Sequence, residues 1–208
     1  IDAACILNYC KIYYGSGQYS YYDYRANVQT SFASPTITHC DFANCYRALT
    51  LFGNSNPNLQ FNTYTNTTYE PVELSIAANP TFGSETMTNV GYRALGILPE
   101  TLPGSGTLEV KNFAGYNNIT YILSGVLNIP VGAIATIEPT IVIKGTVSNA
   151  AIEVDGTLIA DAAPGTEIVF TSVKDDIFGN PLDTNGDGSS TQPARNNWNR
   201  IQFDATSD

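Results

Sequence analysis

Between Tyr121 and Phe203 the chain runs in short bursts of alternating aliphatic residues: Tyr121-Ile-Leu-Ser-Gly125, then Val126-Leu-Asn-Ile-Pro130, then Ile134-Ala-Thr-Ile137, Ile141-Val-Ile-Lys-Gly145, Ala151-Ile-Glu-Val154 and Thr157-Leu-Ile159. Each burst ends at a glycine or a proline-containing turn. Alternation of period two marks half-buried strands, and punctuation every few residues leaves no room for a helix between them. No window in the stretch sustains a helical period. The chain is therefore expected to be all-β, with strand following strand directly.

The first half repeats itself. Tyr46-Arg47-Ala48-Leu49 recurs as Tyr92-Arg93-Ala94-Leu95, an offset of two units of a 20-odd-residue period. Leu7-Asn8-Tyr9-Cys10-Lys11-Ile12, Ile37-Thr38-His39-Cys40-Asp41-Phe42 and Leu59-Gln60-Phe61-Asn62-Thr63-Tyr64 share a second pattern, with apolar residues at the first and sixth places. A Tyr-rich insertion at 13–27 accounts for the longer first offset. A repeat of about 22 residues built from strands and turns is the unit of a parallel β-solenoid. Leu7, Ile37 and Leu59 then form one internal ladder, Ile12, Phe42 and Tyr64 another, and Cys10 stacks on Cys40. His39 reads as a residue of the solenoid wall rather than a catalytic one. At this period the 208 residues would make about nine coils.

The order of motifs in the second half carries a family resemblance. Gly125-Val-Leu-Asn-Ile-Pro-Val-Gly132, Thr136-Ile-Glu-Pro139, Val154-Asp-Gly-Thr-Leu158, Ile168-Val-Phe-Thr-Ser172, Asp183-Thr-Asn-Gly-Asp-Gly188 and Trp198-Asn-Arg-Ile201 follow as in the opening coils of right-handed parallel β-helix repeat proteins secreted by bacteria. Ser34 to Phe42 resembles the later coils of that family. The resemblance implies a right-handed parallel β-helix of the surface adhesin or fibre type. It implies no single activity, because this fold hosts lyases, hydrolases, adhesins and inert stalks.

The resemblance also puts the pieces in an unusual order. Residues 1–115 read as later coils and residues 116–208 as opening coils, with a long Asp/Asn/Gly loop at 174–197. Placing Ile1 after Asp208 gives a passage that reads smoothly from one coil to the next. The expectation is one repeat unit of a tandem array or filament, cut at an arbitrary phase, with neighbouring copies covering the apolar ends.

Charge narrows the partners. Nine Lys and Arg face nineteen Asp and Glu, a net charge of −10. That excludes nucleic acid, which needs clustered cations, and disfavours anionic membrane surfaces. No apolar run reaches the length of a membrane span. Scarce charge with abundant Thr, Asn, Gly and Tyr suits a β protein exposed to solvent. Extracellular or cell-surface placement follows from this and from the resemblance, and self-association end to end is the leading interaction. A surface carbohydrate or a protein is the other class of partner.

Asp183-x-Asn185-x-Asp187-Gly188 is the sharpest local motif. Alternate oxygen-bearing side chains on a tight loop converge as Ca²⁺ requires, and Ser189 occupies the seventh place. The twelfth place, where a helical Ca²⁺ loop carries a glutamate, is Ala194, so Asp175 and Asp176 are the expected source of further carboxylates. The same residues also form surface turns without a metal. Tyr13, Tyr14, Tyr19, Tyr21, Tyr22 and Tyr24 offer amphipathic area for sugar or protein contacts, or for packing on the wall. Asn66 and Asn118 head glycosylation sequons. Cys5, Cys10, Cys40 and Cys45, in two C-x4-C pairs, suit buried apolar positions, disulfides or, least well, a metal.

Catalysis has little support. The glutamates are scattered singly, Asp175 and Asp176 would point to opposite faces of a strand, and one wall histidine cannot supply a triad. The expected function is a structural subunit of an extracellular fibre, stalk or adhesin. A carbohydrate-binding or polysaccharide-degrading module is the alternative.

Overall fold

The structure, a computed structural model, describes residues 5–17 and 26–207. Twenty-one short strands follow one another, with no helix among the described residues. All strand pairings between them are parallel, and the chain winds about six turns with coils of roughly 23 residues. The all-β parallel solenoid read from the sequence is what forms. The expectation of nine coils was too high: the segment 173–199 contains no strand, and the coils run to roughly 23 residues rather than 22.

One wall runs through every turn. It stacks β3 (Ala26–Ser31), β6 (Arg47–Phe52), β9 (Val72–Leu74), β12 (Leu95–Ile97), β14 (Tyr121–Leu123), β17 (Val142–Gly145) and β20 (Val169–Ser172) in that order. The other two sides are discontinuous. The first half has β1 (Ile6–Asn8), β4 (Thr36–Thr38), β7 (Asn58–Gln60) and β10 (Thr81–Phe82) on one side, and β2 (Lys11–Tyr13), β5 (Asp41–Cys45), β8 (Thr63–Thr67) and β11 (Thr86–Thr88) on the other. The second half has β15 (Val126–Ile129), β18 (Ala151–Val154) and β21 (Arg200–Phe203), then β13 (Gly106–Leu108), β16 (Ile134–Ile137) and β19 (Thr157–Ile159). Among the described residues only the long wall joins the two halves by strand ladders, through β9, β12 and β14.

The predicted ladders are present in register. Leu7 pairs with Ile37 and Ile37 with Leu59; Ile12 pairs with Phe42 and Phe42 with Tyr64. Ile37, Leu59, Phe42 and Tyr64 are fully buried. Burying each such side chain contributes roughly 1.5–3 kcal/mol before ordering entropy is subtracted. The interior continues along the long wall as Leu49, Val72, Leu95, Tyr121, Ile143 and Phe170. The Tyr46 repeat has a middle member at the same register, Tyr69-Glu70-Pro71-Val72, which shares too few residue types with its neighbours to stand out in the sequence.

Two corners of the early coils turn on residues of positive φ. Tyr9, His39 and Phe61 (φ 54°, 51° and 58°) make the first corner; Tyr14, Asn44, Asn66 and Asn89 (58°, 55°, 55° and 53°) make the second. A non-glycine residue in this region costs about 1–2 kcal/mol. Stacking of like side chains up the corner offsets it. His39 lies between the rings of Tyr9 and Phe61 at 4.5 and 4.9 Å, nearly parallel to both. Asn66 Nδ2 donates to Asn44 Oδ1 at 3.1 Å, and Asn89 Nδ2 donates to Asn66 Oδ1 at 2.6 Å. His39 is thus a wall residue, as its place in the repeat implied.

Candidate functional site

The outward face of the long wall carries the chemistry. Its register sets Thr50, Glu73, Gly96, Ile122, Lys144 and Thr171 in one outward row. The loop between β20 and β21 folds back over the later part of this row. Thr120 N donates to Asn180 O at 3.0 Å, Asn180 N donates to Thr120 Oγ1 at 2.7 Å, and Arg93 N donates to Thr184 O at 2.9 Å. Val173 packs on Ala94 and Ile122 in a small second core, with Tyr92 at its edge. Gly179 takes φ 98°, and a Cβ there would lie 2.4 Å from Thr120 Oγ1. Only glycine lets the loop lie this close.

Lys144 anchors the loop from below. It is fully buried. Its Nζ donates to Asp175 O at 2.6 Å, Leu182 O at 2.9 Å and Thr184 Oγ1 at 2.9 Å. Burial pulls its pKa down, and the charges of Asp175, Asp176 and Asp183 oppose that pull. An ammonium has three protons to donate, so Lys144 has none left for a carboxylate. The sequence reading missed this residue, since a lone lysine inside an aliphatic burst looks like an exposed strand position.

Of the six residues expected to hold a cation, three carboxylates converge. Atoms of Asp176, Asp183 and Asp187 lie within 4.8 Å of one another. Both carboxylate oxygens of Asp176 are buried without a hydrogen-bond partner, as is Asn185 Oδ1. Asp183 accepts from Asp187 N at 3.0 Å and Gly188 N at 3.1 Å. Asp187 accepts from Asn185 Nδ2 at 2.9 Å and from the Thr191 hydroxyl. The Thr191 bond, ahead of those from Ser190 and Asn185, holds the Asp187 carboxyl below its ordinary value. The remaining two residues stand apart. Asp175 is committed to Thr171 Oγ1 at 2.6 Å and Ile177 N at 2.9 Å, and Ser189 is an exposed turn residue at φ 69°. Asp175 and Asp176 lie on a loop rather than a strand, and only Asp175 is hydrogen-bonded through its carboxylate.

Beside this loop is a polar cleft of about 200 Å³ between Met87, Asn89, Arg93, Tyr116 and Asn185. It shares Asn89 and Val90 with an open groove of about 240 Å³ that passes Asn66, Thr67 and Thr68. Arg93 projects between cleft and loop. Its Nη1 lies 3.9 Å from Asp183 Oδ2, with the guanidinium side chain 42 % exposed.

The other candidates are placed as follows. Tyr13 and Tyr14 are exposed and meet edge to face at 6.5 Å; Tyr19, Tyr21, Tyr22 and Tyr24 lie outside the described residues. Asn66 sits in the asparagine ladder. Asn118 Nδ2 donates to the carbonyl and hydroxyl of Thr140, both at 3.0 Å. Neither sequon is a free loop. Cys5, Cys10, Cys40 and Cys45 are free thiols. Cys10 and Cys40 occupy equivalent corner positions, and burial raises the Cys40 thiol pKa. The glutamates are less scattered than the sequence implied: Glu70 and Glu73 converge on the buried Arg47 at 2.5 and 3.2 Å.

Comparison with known families, with curated proteins and with solved structures returned no match. Among the described residues no helix is long and apolar enough to cross a membrane.

Proposed function

We propose that this chain is a structural segment of an extracellular surface fibre, stalk or adhesin, in which solenoid coils stack end to end from copy to copy. The observation that carries this reading is the uninterrupted long wall, seven parallel strands tied by main-chain hydrogen bonds from β3 to β20. Such a wall, filled by aliphatic and aromatic ladders, resists bending and shear. The exterior supports the reading too: exposed hydroxyl and amide side chains in rows keep it soluble with few charges. Electron microscopy of the native material tests it. Fibres with an axial repeat near 3 nm, six turns at about 4.8 Å, are expected. Compact single particles would refute it.

One observation favours a second reading, a carbohydrate-binding module. The cleft at Asn89, Arg93, Tyr116 and Asn185 brings amides, a guanidinium and an aromatic side chain together, the polar groups that fix the orientation of sugar hydroxyls. A glycan array probed with the parent and with Arg93→Ala tests it. Binding lost in the variant supports the module, and no binding by the parent removes it.

A further inference from the structure

The acidic loop has a charge deficit that its protein neighbours leave unmet. Three carboxylates share a space in which their ligand atoms lie within 4.8 Å of one another. The buried ammonium under the loop, Lys144, spends its three protons on Asp175 O, Leu182 O and Thr184 Oγ1. The nearest guanidinium, Arg93, bonds the carbonyl of Asp183 at 3.5 Å and stays 3.9 Å from its carboxylate. Within the loop, backbone amides and hydroxyls serve Asp183 and Asp187. Asp176 has only the distant field of the Lys144 ammonium and no hydrogen bond. Both of its oxygens are shut off from solvent and accept no hydrogen bond, and Asn185 Oδ1 shares that condition two residues from Asp187. A buried, unpartnered carboxylate costs several kcal/mol unless a charge meets it.

We propose that this loop binds one Ca²⁺ ion, with Asp176, Asp183 and Asp187 as carboxylate ligands and Asn185 Oδ1 as the amide ligand. The donors are all oxygen, which selects a hard cation over zinc or copper. The mixed carboxylate and amide set on a glycine-rich turn suits the adaptable shell of Ca²⁺ better than the strict octahedron of Mg²⁺. The ion ties the entrance of the loop, at Asp176, to its middle, at 183–187, and so fixes the segment that covers Ile122 and Lys144. Asp175 is excluded as a ligand because its carboxylate is already spent on Thr171 and Ile177. This inference is independent of the fibre reading.

The test uses the full chain stripped with a chelator. Titration calorimetry with CaCl₂ is expected to show one site, and Ca²⁺ at 100-fold excess over Kd is expected to raise Tm by about 5–10 °C, with a smaller rise for Mg²⁺. Asp176→Asn removes the carboxylate and keeps its shape. The variant without Ca²⁺ should melt at or above the stripped parent, since like-charge repulsion is relieved, and it should lose the Ca²⁺ shift. Asp175→Asn should melt lower than the parent yet keep the shift, which separates lost ligation from lost structure. The proposal is overturned if the parent shows neither heat nor a Tm shift at millimolar Ca²⁺, if Mg²⁺ matches Ca²⁺, or if Asp176→Asn responds to Ca²⁺ as the parent does.

Discussion

Asn62 Nδ2 donates to Glu85 Oε1 at 3.3 Å inside the solenoid, one coil apart on the same corner. The same amide donates to Ile37 O at 2.9 Å, while Asn62 Oδ1 accepts from Cys40 N at 2.9 Å. Cys40, Asn62 and Glu85 thus form a polar column within an apolar interior, with the buried hydroxyl of Tyr64 beside it. Burial pushes the Glu85 carboxyl up to about 7.

That shift has a definite consequence for stability. A carboxyl whose folded pKa lies above its unfolded value binds more protons in the folded state. Its contribution is therefore fully present below pH about 4.5 and is lost as the pH rises through about 7. The loss from Glu85 is at most about 3 kcal/mol. Glu100, also raised by burial to about 7, acts in the same direction. Urea denaturation at pH 5 and pH 8 should show the parent less stable at pH 8, and Glu85→Gln should remove much of the difference. An equal difference in the variant would mean that Glu85 is not the group responsible.

Ile141→Asp should unfold the second half of the solenoid. Ile141 is fully buried, at the entrance to β17, and its carbonyl accepts from Val169 N at 3.0 Å. An aspartate there has no cation to meet and leaves a cavity, a cost above about 4 kcal/mol. Val131→Asp, at a position 70 % exposed, should change stability by less than about 0.5 kcal/mol. Thermal melts of the two variants beside the parent check both values. A parent-like Tm for Ile141→Asp would contradict the core placement.

The asparagine corner gives a finer test. Asn66 combines φ 55° with two ladder hydrogen bonds. Alanine loses both bonds and pays the left-handed penalty, for a cost of about 2–3 kcal/mol. Glycine loses the same bonds without that penalty. Asn66→Gly should therefore melt higher than Asn66→Ala by several degrees. The opposite order would show that the corner depends on the side chain alone.

Much of this was legible in the sequence because a solenoid repeats its geometry at short range. Period-two alternation gave the strands, and the shared six-residue pattern at Leu7, Ile37 and Leu59, offset by 30 and 22 residues, gave the register. The asparagine corner was legible in principle, since Asn44, Asn66 and Asn89 recur at the same spacing, but asparagine is common in this chain and the row did not stand out. Asp175 and Asp176 were both expected as further carboxylates because they share the long loop with Asp183 and Asp187, and the atoms of Asp176 are the ones that lie near those two. The separate role of Asp175 was not legible, because which of two adjacent carboxylates faces the cluster depends on the turn at Thr171 and Ile177. Lys144 and Arg93 were invisible as site residues. Their roles arise only when the loop folds back across three coils, and no local pattern encodes that return.

Lys144 is the residue on which that return depends most. It brings a buried ammonium against two carbonyls and a hydroxyl of the loop. Lys144→Met keeps the length and apolar stem of the side chain but leaves Asp175 O, Leu182 O and Thr184 Oγ1 without this donor. Hydrogen bonds to a charged group are worth about 1.5–3 kcal/mol each, and methionine recovers part of the desolvation cost, so a net loss of about 3 kcal/mol is expected. For a chain of this size that lowers Tm by on the order of 10 °C. Hydrogen exchange should localise the change: the amides of Arg93 and Thr120, which bond to Thr184 and Asn180 of the loop, should lose protection, while those of the interior ladders in β5 and β8 keep theirs. A uniform loss of protection throughout the solenoid would show instead that Lys144 supports the wall itself and not the loop laid over it.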